Sequence, residues 1–132
     1  MPKETFCAPT VYNPVRYAQG VKTTGGTLVW ISGQVSQDKD GKLVHKGDFA
    51  GQARQALANL KAMVEAAGGT IRDIIKVNTY LTDLRNREEL ARVRAEFFPD
   101  GKLPASTLVG VTALADPDML LEIEAIAVIP EK

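Results

Sequence analysis

The pattern of apolar residues predicts a long amphipathic helix over residues 49–67. Asp48 is a suitable N-cap, because its side chain can accept a hydrogen bond from the first turn. Gly68 and Gly69 follow the segment, and glycine adopts without strain the left-handed conformation that ends many helices. The apolar face of this helix consists of Phe49, Ala53, Ala56, Leu57, Leu60, Val64 and Ala67.

A second, shorter helix is predicted over residues 87–98. Asn86 is its expected N-cap, and Leu90, Val93 and Phe97 form its buried stripe. The arginines of this region alternate with glutamates, which is typical of a helix face in water. These charged residues are Arg85, Arg87, Arg92, Arg94, Glu88, Glu89 and Glu96.

Five segments have the composition and length of strands. They are residues 16–23, 27–32, 74–82, 105–113 and 120–129. Gly25 and Gly26 separate the first two, and they favour a tight hairpin turn, whose central residues need positive φ. The order is therefore β-β-α-β-α-β-β. This order predicts a single α+β domain over residues 1–132, with a mixed sheet and two helices on one face.

The last predicted strand is apolar on both of its faces, apart from Glu122 and Glu124. Its second face needs cover, because a large exposed apolar patch favours association. No third helix is predicted that could supply this cover. Several copies of the chain are therefore expected to associate into a homo-oligomer.

Composition argues against several classes of function. Sixteen basic residues balance sixteen acidic ones, so no overall field attracts nucleic acid or an anionic membrane. Cys7 is the only cysteine and His45 the only histidine, so neither an internal disulfide nor a metal site is expected. No signal peptide or membrane-spanning run is recognisable, and a cytoplasmic protein is predicted.

Seven short motifs occur in a specific order between about Pro14 and Val128. The motifs are Tyr17-Ala18-Gln19-Gly20, Ile31-Ser32-Gly33-Gln34, Val64-Glu65-Ala66-Ala67-Gly68, Ile75-Lys76-Val77, Phe97-Phe98, Leu103-Pro104-Ala105 and Glu122-Ile123-Glu124-Ala125-Ile126-Ala127-Val128. Each motif alone is weakly specific, whereas their combined order and spacing are highly specific. In this respect the chain resembles the RidA/YjgF family, also called L-PSP.

The resemblance implies a chorismate-mutase-like fold, a homotrimer and small-molecule clefts between the subunits. It also implies hydrolysis of reactive enamines and imines, such as 2-aminoacrylate, to 2-oxo acids and ammonia, without a cofactor. Two alternatives stay open. The same cleft can serve a non-enzymatic binder that senses a ligand or protects proteins, and some relatives carry endoribonuclease or translation-inhibitor labels. The neutral charge balance argues against the RNA-directed alternative.

The resemblance also assigns residues to the expected cleft. Glu122 aligns with the acidic residue that positions the attacking water, and we expect it to be catalytic. The residues expected to bind the substrate are Tyr17, Ser32, Gly33, Ser106 and Thr107. Glu124 is instead expected to form structural hydrogen bonds, because a carboxylate in an apolar strand must be satisfied.

One position departs from the family pattern. In the family, an arginine that holds the substrate carboxylate follows Pro-Ala, whereas this chain has Pro104-Ala105-Ser106. Serine donates one neutral hydrogen bond, and losing a charge-assisted contact weakens binding of a small acid by about one to two decades. Weak hydrolysis of ordinary 2-imino acids is therefore expected, unless Arg85 or Arg94 supplies the missing cation.

Overall fold

The computed structural model describes residues 3–131, and of Asp100 only the backbone. Within this range the chain forms β1 (Lys3–Phe6), β2 (Tyr17–Ala18), β3 (Gly20–Thr23), β4 (Thr27–Gln34), α1 (Phe49–Ala66), β5 (Ile74–Leu81), α2 (Arg87–Arg94), β6 (Leu103–Gly110) and β7 (Leu121–Ile129). Short 3₁₀ turns precede β5, α2 and β6. No helix in this part of the chain is long and apolar enough to cross a membrane.

Five strands form one mixed sheet in the order β2-β6-β5-β7-β4. β6 runs parallel to both β2 and β5, whereas β7 runs antiparallel to β5 and β4. The parallel pairing of β5 and β6 is possible because α2 lies between them in the chain and provides the crossover. The predicted α+β class and mixed sheet are confirmed.

The hydrophobic core lies between the sheet and the two helices. α1 packs against β4, β7 and α2, and its predicted apolar face is buried at every position except Ala67. Ala67 follows the end of the helix as its C-cap and is exposed. Alternate residues of the central strands complete the core from the sheet side, and these are Val77, Leu81, Leu121, Ile123, Ala125 and Ala127.

The predicted strand at residues 16–23 is divided between two sheets. β2 pairs with β6, whereas β3 pairs with β1, a strand that the sequence pattern does not predict. Gly25 and Gly26 have φ of 72° and 81°, so the predicted turn is present. The predicted hairpin is wrong, because β3 and β4, on either side of this turn, do not pair with each other but belong to different sheets.

The second helix ends at Arg94 and not at residue 98 as predicted. Phe98 is extended, with φ −104° and ψ 134°, because it precedes Pro99 and the proline ring clashes with a helical conformation of the preceding residue. Asn86 occupies the N-cap position of α2, but its side chain makes no capping hydrogen bond. The N-cap of α1 is confirmed, since Asp48 accepts a hydrogen bond from the amide of Gly51 at 3.0 Å.

Gln52 joins α1 to the loop before β7. Its side chain is fully buried, donates to the carbonyls of Asp118 at 2.9 Å and His45 at 3.3 Å, and accepts from the amide of Leu120 at 2.9 Å. These three hydrogen bonds hold the loop in place. If one of them broke, a buried polar group would have neither a protein partner nor water to bond, which is costly.

We predict that Gln52→Leu lowers the free energy of unfolding by about 1–3 kcal/mol, because it leaves the Leu120 amide and the Asp118 carbonyl unsatisfied. Urea unfolding of the purified variant measures this loss. Gln55→Leu is the matched control, since Gln55 is only partly buried and bonds the side chain of Asn59. Equal losses in the two variants would contradict the role assigned to Gln52.

Candidate functional site

Two carboxylates of β7 lie on the sheet face that the helices do not cover. Glu122 and Glu124 alternate with buried core residues, and they pair across the sheet with Tyr80 and Asn78 respectively. The hydroxyl of Tyr80 donates to Oε1 of Glu124 at 2.8 Å, and Asn78 donates to Oε2 at 3.4 Å. Glu124 is therefore satisfied within the sheet, which agrees with the structural interpretation of this residue.

Glu122 lies against the backbone of β4. The register of β4 and β7 shifts between Ile31 and Gln34, and the extra residue of this bulge brings Gly33 onto the Glu122 side chain. A Cβ at Gly33 would lie 2.6 Å from Cδ of Glu122, so only glycine leaves room for the carboxylate. Among the described residues, no hydrogen bond or ion pair holds this carboxylate. It is free to bind a water or a ligand.

Tyr17 and Ser106 line a different region, a cavity of about 570 Å³ at the β2–β6 edge of the sheet. Ser106 lies on the helix-covered face, because it pairs with Val77, which is fully buried in the core. Polar and charged side chains from β2, the segment before it and α2 meet in this cavity, together with apolar ones. The lining also includes Arg16, Leu84, Arg87, Glu88, Arg94, Leu103 and Leu108.

The cavity is rich in positive charge. Arg16 forms an ion pair with Glu88 at 3.4 Å, whereas Arg94 forms none within the described part of the chain. Burial, followed by the charges of Arg16 and Arg87, lowers the pKa of the Arg94 guanidinium, and Glu88 opposes this shift. Arginine stays protonated in proteins, so the cavity presents a cation that lacks a counter-charge.

The predicted site residues fall into two groups on opposite faces of the sheet. Tyr17 and Ser106 lie at the cavity, whereas Ser32, Gly33 and Glu122 lie together on the helix-free face. Thr107 follows Ser106 and therefore points to the opposite face. There it is exposed, and its hydroxyl accepts a hydrogen bond from Nζ of Lys76 at 2.8 Å. One chain alone does not bring the two groups together.

The charged residues of α2 are not all on a solvated face. Arg94 is only 8% exposed, which corrects the expectation for this residue. Arg94 follows Leu90 by four residues and therefore lies beside the buried stripe of α2, but its charge and the neighbouring glutamates favour a solvated position, so the sequence pattern alone did not decide its burial. Arg85 instead pairs with Asp83 at 2.8 Å, is 90% exposed and does not line the cavity.

Comparisons with known proteins agree with this fold and these motifs. A family model described as endoribonuclease L-PSP matches residues 9–129. A RutC family protein of Pyrococcus horikoshii is 44% identical over 121 residues, covering 91% of this chain and 90% of the relative. The chain belongs to the RidA/YjgF family.

Solved structures of the RidA/YjgF family have the same architecture. The Rid family protein YyfB of Yersinia pestis superposes with a TM-score of 0.84 at 33% identity, covering 98% of this chain and 100% of that one. RidA of an Antarctic Psychrobacter superposes with a TM-score of 0.71 at 36% identity, over 95% and 94% of the two chains. The family resemblance drawn from the seven motifs is therefore confirmed.

We predict that the phenol of Tyr80 ionises at a higher pH than that of a free tyrosine. Its hydrogen bond to Glu124, then burial and the charges of Glu124 and Glu122, raise the pKa of the phenol above its usual value. The pKa of Tyr80 is higher in the folded than in the unfolded protein, so protonated Tyr80 stabilises the fold. This stabilisation is present below about pH 10 and is lost as the pH rises through the folded pKa.

Ultraviolet titration of tyrosinate in the native protein measures this ionisation. Tyr80→Phe should remove the latest step, whereas Tyr12→Phe, at an exposed position, should retain it. A late step that persists unchanged in Tyr80→Phe would contradict the assignment.

Proposed function

We propose that the chain forms a homotrimer that binds a small metabolite in clefts between subunits. In each cleft, the Tyr17–Ser106 cavity of one copy faces the Ser32–Gly33–Glu122 group of another. The observation that carries this proposal is the separation of the two groups on opposite faces of one sheet. A second copy is the simplest way to unite them.

Exposed apolar residues on the helix-free face support association. Leu28 and Trp30 of β4 are 52% and 71% exposed, and Trp30 pairs with Ile126 of β7 on the same face. Such a cluster is unfavourable in water, and burying it stabilises an assembly by roughly 25 cal/mol for each Å² of apolar surface removed. A second copy of the chain is the occupant that would also complete the cleft.

The proposed reaction is the hydrolysis of a 2-imino acid, or of its enamine tautomer, to a 2-oxo acid and ammonia. Glu122 would orient a water towards the imine carbon and accept a proton as the oxygen–carbon bond forms. The imine nitrogen takes up that proton as its double bond opens, which gives a carbinolamine. The hydroxyl proton of the carbinolamine then moves to the nitrogen through Glu122, the carbon–nitrogen bond breaks, the carbonyl of the 2-oxo acid forms and ammonia leaves. The free carboxylate of Glu122 on the helix-free face supports this role.

A non-enzymatic binder that uses the same cleft is the second candidate. Ser106 favours it, because the strand position that carries the family arginine is neutral here. An assay of imine hydrolysis distinguishes the two candidate functions. An amino-acid oxidase generates 2-iminobutanoate in the assay, and its loss is followed with and without the protein; faster loss with the protein indicates the enzyme. An RNA-directed activity has less support, since the chain has sixteen basic and sixteen acidic residues.

We predict a particle of about 43 kDa in solution, three times the 14.3 kDa of one chain. Light scattering coupled to size exclusion measures it. Trp30→Lys should reduce the particle mass, because it places a charge in the proposed interface. Met63→Lys, at an exposed position of α1, should not. A monomer that persists at high concentration would contradict the assembly.

We predict that Glu122→Gln lowers imine hydrolysis roughly 10²-fold or more, because the amide cannot accept the proton. Gly33→Ala should also lower it, since the new methyl group displaces the Glu122 carboxylate. Glu65→Gln, on the exposed surface of α1, is the matched control. Wild-type turnover in Glu122→Gln would show that this carboxylate is not the base.

A further inference from the structure

Arg94 is a buried cation for which the described part of the chain provides no ion-pair partner. Only 8% of its surface is exposed, and its Nε atom is buried without a hydrogen-bond acceptor. Three other arginines have carboxylate partners: Arg16 pairs with Glu88, Arg54 with Glu96 and Arg85 with Asp83. Buried charges in proteins are normally paired, because an uncompensated one is costly. The position of Arg94 therefore requires an explanation beyond folding.

The surroundings of Arg94 make an anion favourable there. Arg16 and Arg87 add positive charge to the same cavity, and the nearby carboxylate, Glu88, is already paired with Arg16. A bound anion would satisfy the guanidinium and reduce the repulsion among the three arginines. A planar guanidinium suits a carboxylate in particular, since it can donate two parallel hydrogen bonds.

We propose that Arg94 is the carboxylate anchor of this cavity and supplies from α2 the cation that Ser106 of β6 lacks. Both residues line the same cavity, one from its helix wall and the other from its sheet wall. The inference rests on the proposed function in that it takes this cavity as part of the ligand cleft. It adds the residue that holds the acid group and the element that provides it.

The remaining lining indicates the class of acid. Leu84, Leu103 and Leu108 provide an apolar wall beside the arginines. A cavity of about 570 Å³ is within the range of pockets that hold small organic ligands. The combination fits a small organic acid with one carboxylate and a short apolar chain, such as a 2-imino acid or the corresponding 2-oxo acid. The carboxylate binds Arg94 and the chain contacts the leucines.

Calorimetric titration with 2-oxobutanoate tests the anchor without requiring turnover. Arg94→Gln should weaken binding roughly 10- to 100-fold, and Arg94→Lys by less, because an ammonium keeps the charge but loses the two-bond geometry. Arg92→Gln is the matched control, since Arg92 is exposed on the same helix and does not line the cavity. Unchanged binding in Arg94→Gln would overturn the proposal.

Two ligand controls test the chemical class. Butanone, which lacks the carboxylate, should bind far more weakly than 2-oxobutanoate and should be insensitive to Arg94→Gln. Inorganic phosphate should compete poorly, because it has no apolar chain for the leucine wall. Phosphate binding as tight as that of 2-oxobutanoate would overturn the assignment of an organic acid.

Thermal unfolding distinguishes an anchor from a structural arginine. Arg94→Met replaces an unpaired buried cation with an apolar side chain of similar length, so the Tm of the ligand-free protein should rise or stay unchanged. The added stabilisation of the wild type by 2-oxobutanoate should disappear in this variant. A lower Tm together with retained stabilisation by the ligand would identify Arg94 as structural and overturn the proposal.

Failure of the anchor and failure of the proposed reaction are distinguishable. If the wild type binds 2-oxobutanoate through Arg94 but hydrolyses no imine, the anchor stands and the reaction does not. If imine hydrolysis depends on Glu122 while Arg94→Gln binds 2-oxobutanoate normally, the reaction stands and the anchor does not.

Discussion

The strand β7 presents a different chemistry on each of its two faces, and both the core and the candidate site depend on this alternation. Towards the helices it contributes Leu121, Ile123, Ala125 and Ala127, all buried. Towards the other face it contributes Glu122 and Glu124. Because side chains alternate along a strand, a register slip of one residue would bury both carboxylates and expose the core. The pairing of β7 with β4 and β5 therefore determines where the carboxylates lie.

Arg94 and Glu122 carry charges that no hydrogen bond or ion pair satisfies at their charged ends within the described residues. Arg94 lies at the cavity on the helix-covered side, and the carboxylate of Glu122 lies against Gly33 on the helix-free side. The sheet separates them, so they cannot neutralise each other within one copy. Uncompensated charges of this kind are retained where a ligand, a water or another subunit uses them. Together they support a cleft that is assembled between copies.

The residues next to Glu122 show how a satisfied carboxylate differs from a free one. Glu124 is two residues along the same strand and receives hydrogen bonds from Tyr80 and Asn78. Glu122 is paired across the sheet with Tyr80, but the Tyr80 hydroxyl donates to Glu124. The sheet thus holds one glutamate in place and leaves the next one available, although the two residue types are identical.

Elements whose signals are local could be predicted from the amino-acid pattern alone. Helical spacing and the Asp48 cap predicted α1, strand composition predicted the strands of the main sheet, and ordered motifs predicted the family. Three features depended on tertiary structure: the pairing of β3 with β1, the burial of Arg94 and the separation of the site residues on two faces. Strand partners are distant in sequence, and the burial of a charge depends on what packs around it. Local patterns carry neither kind of information.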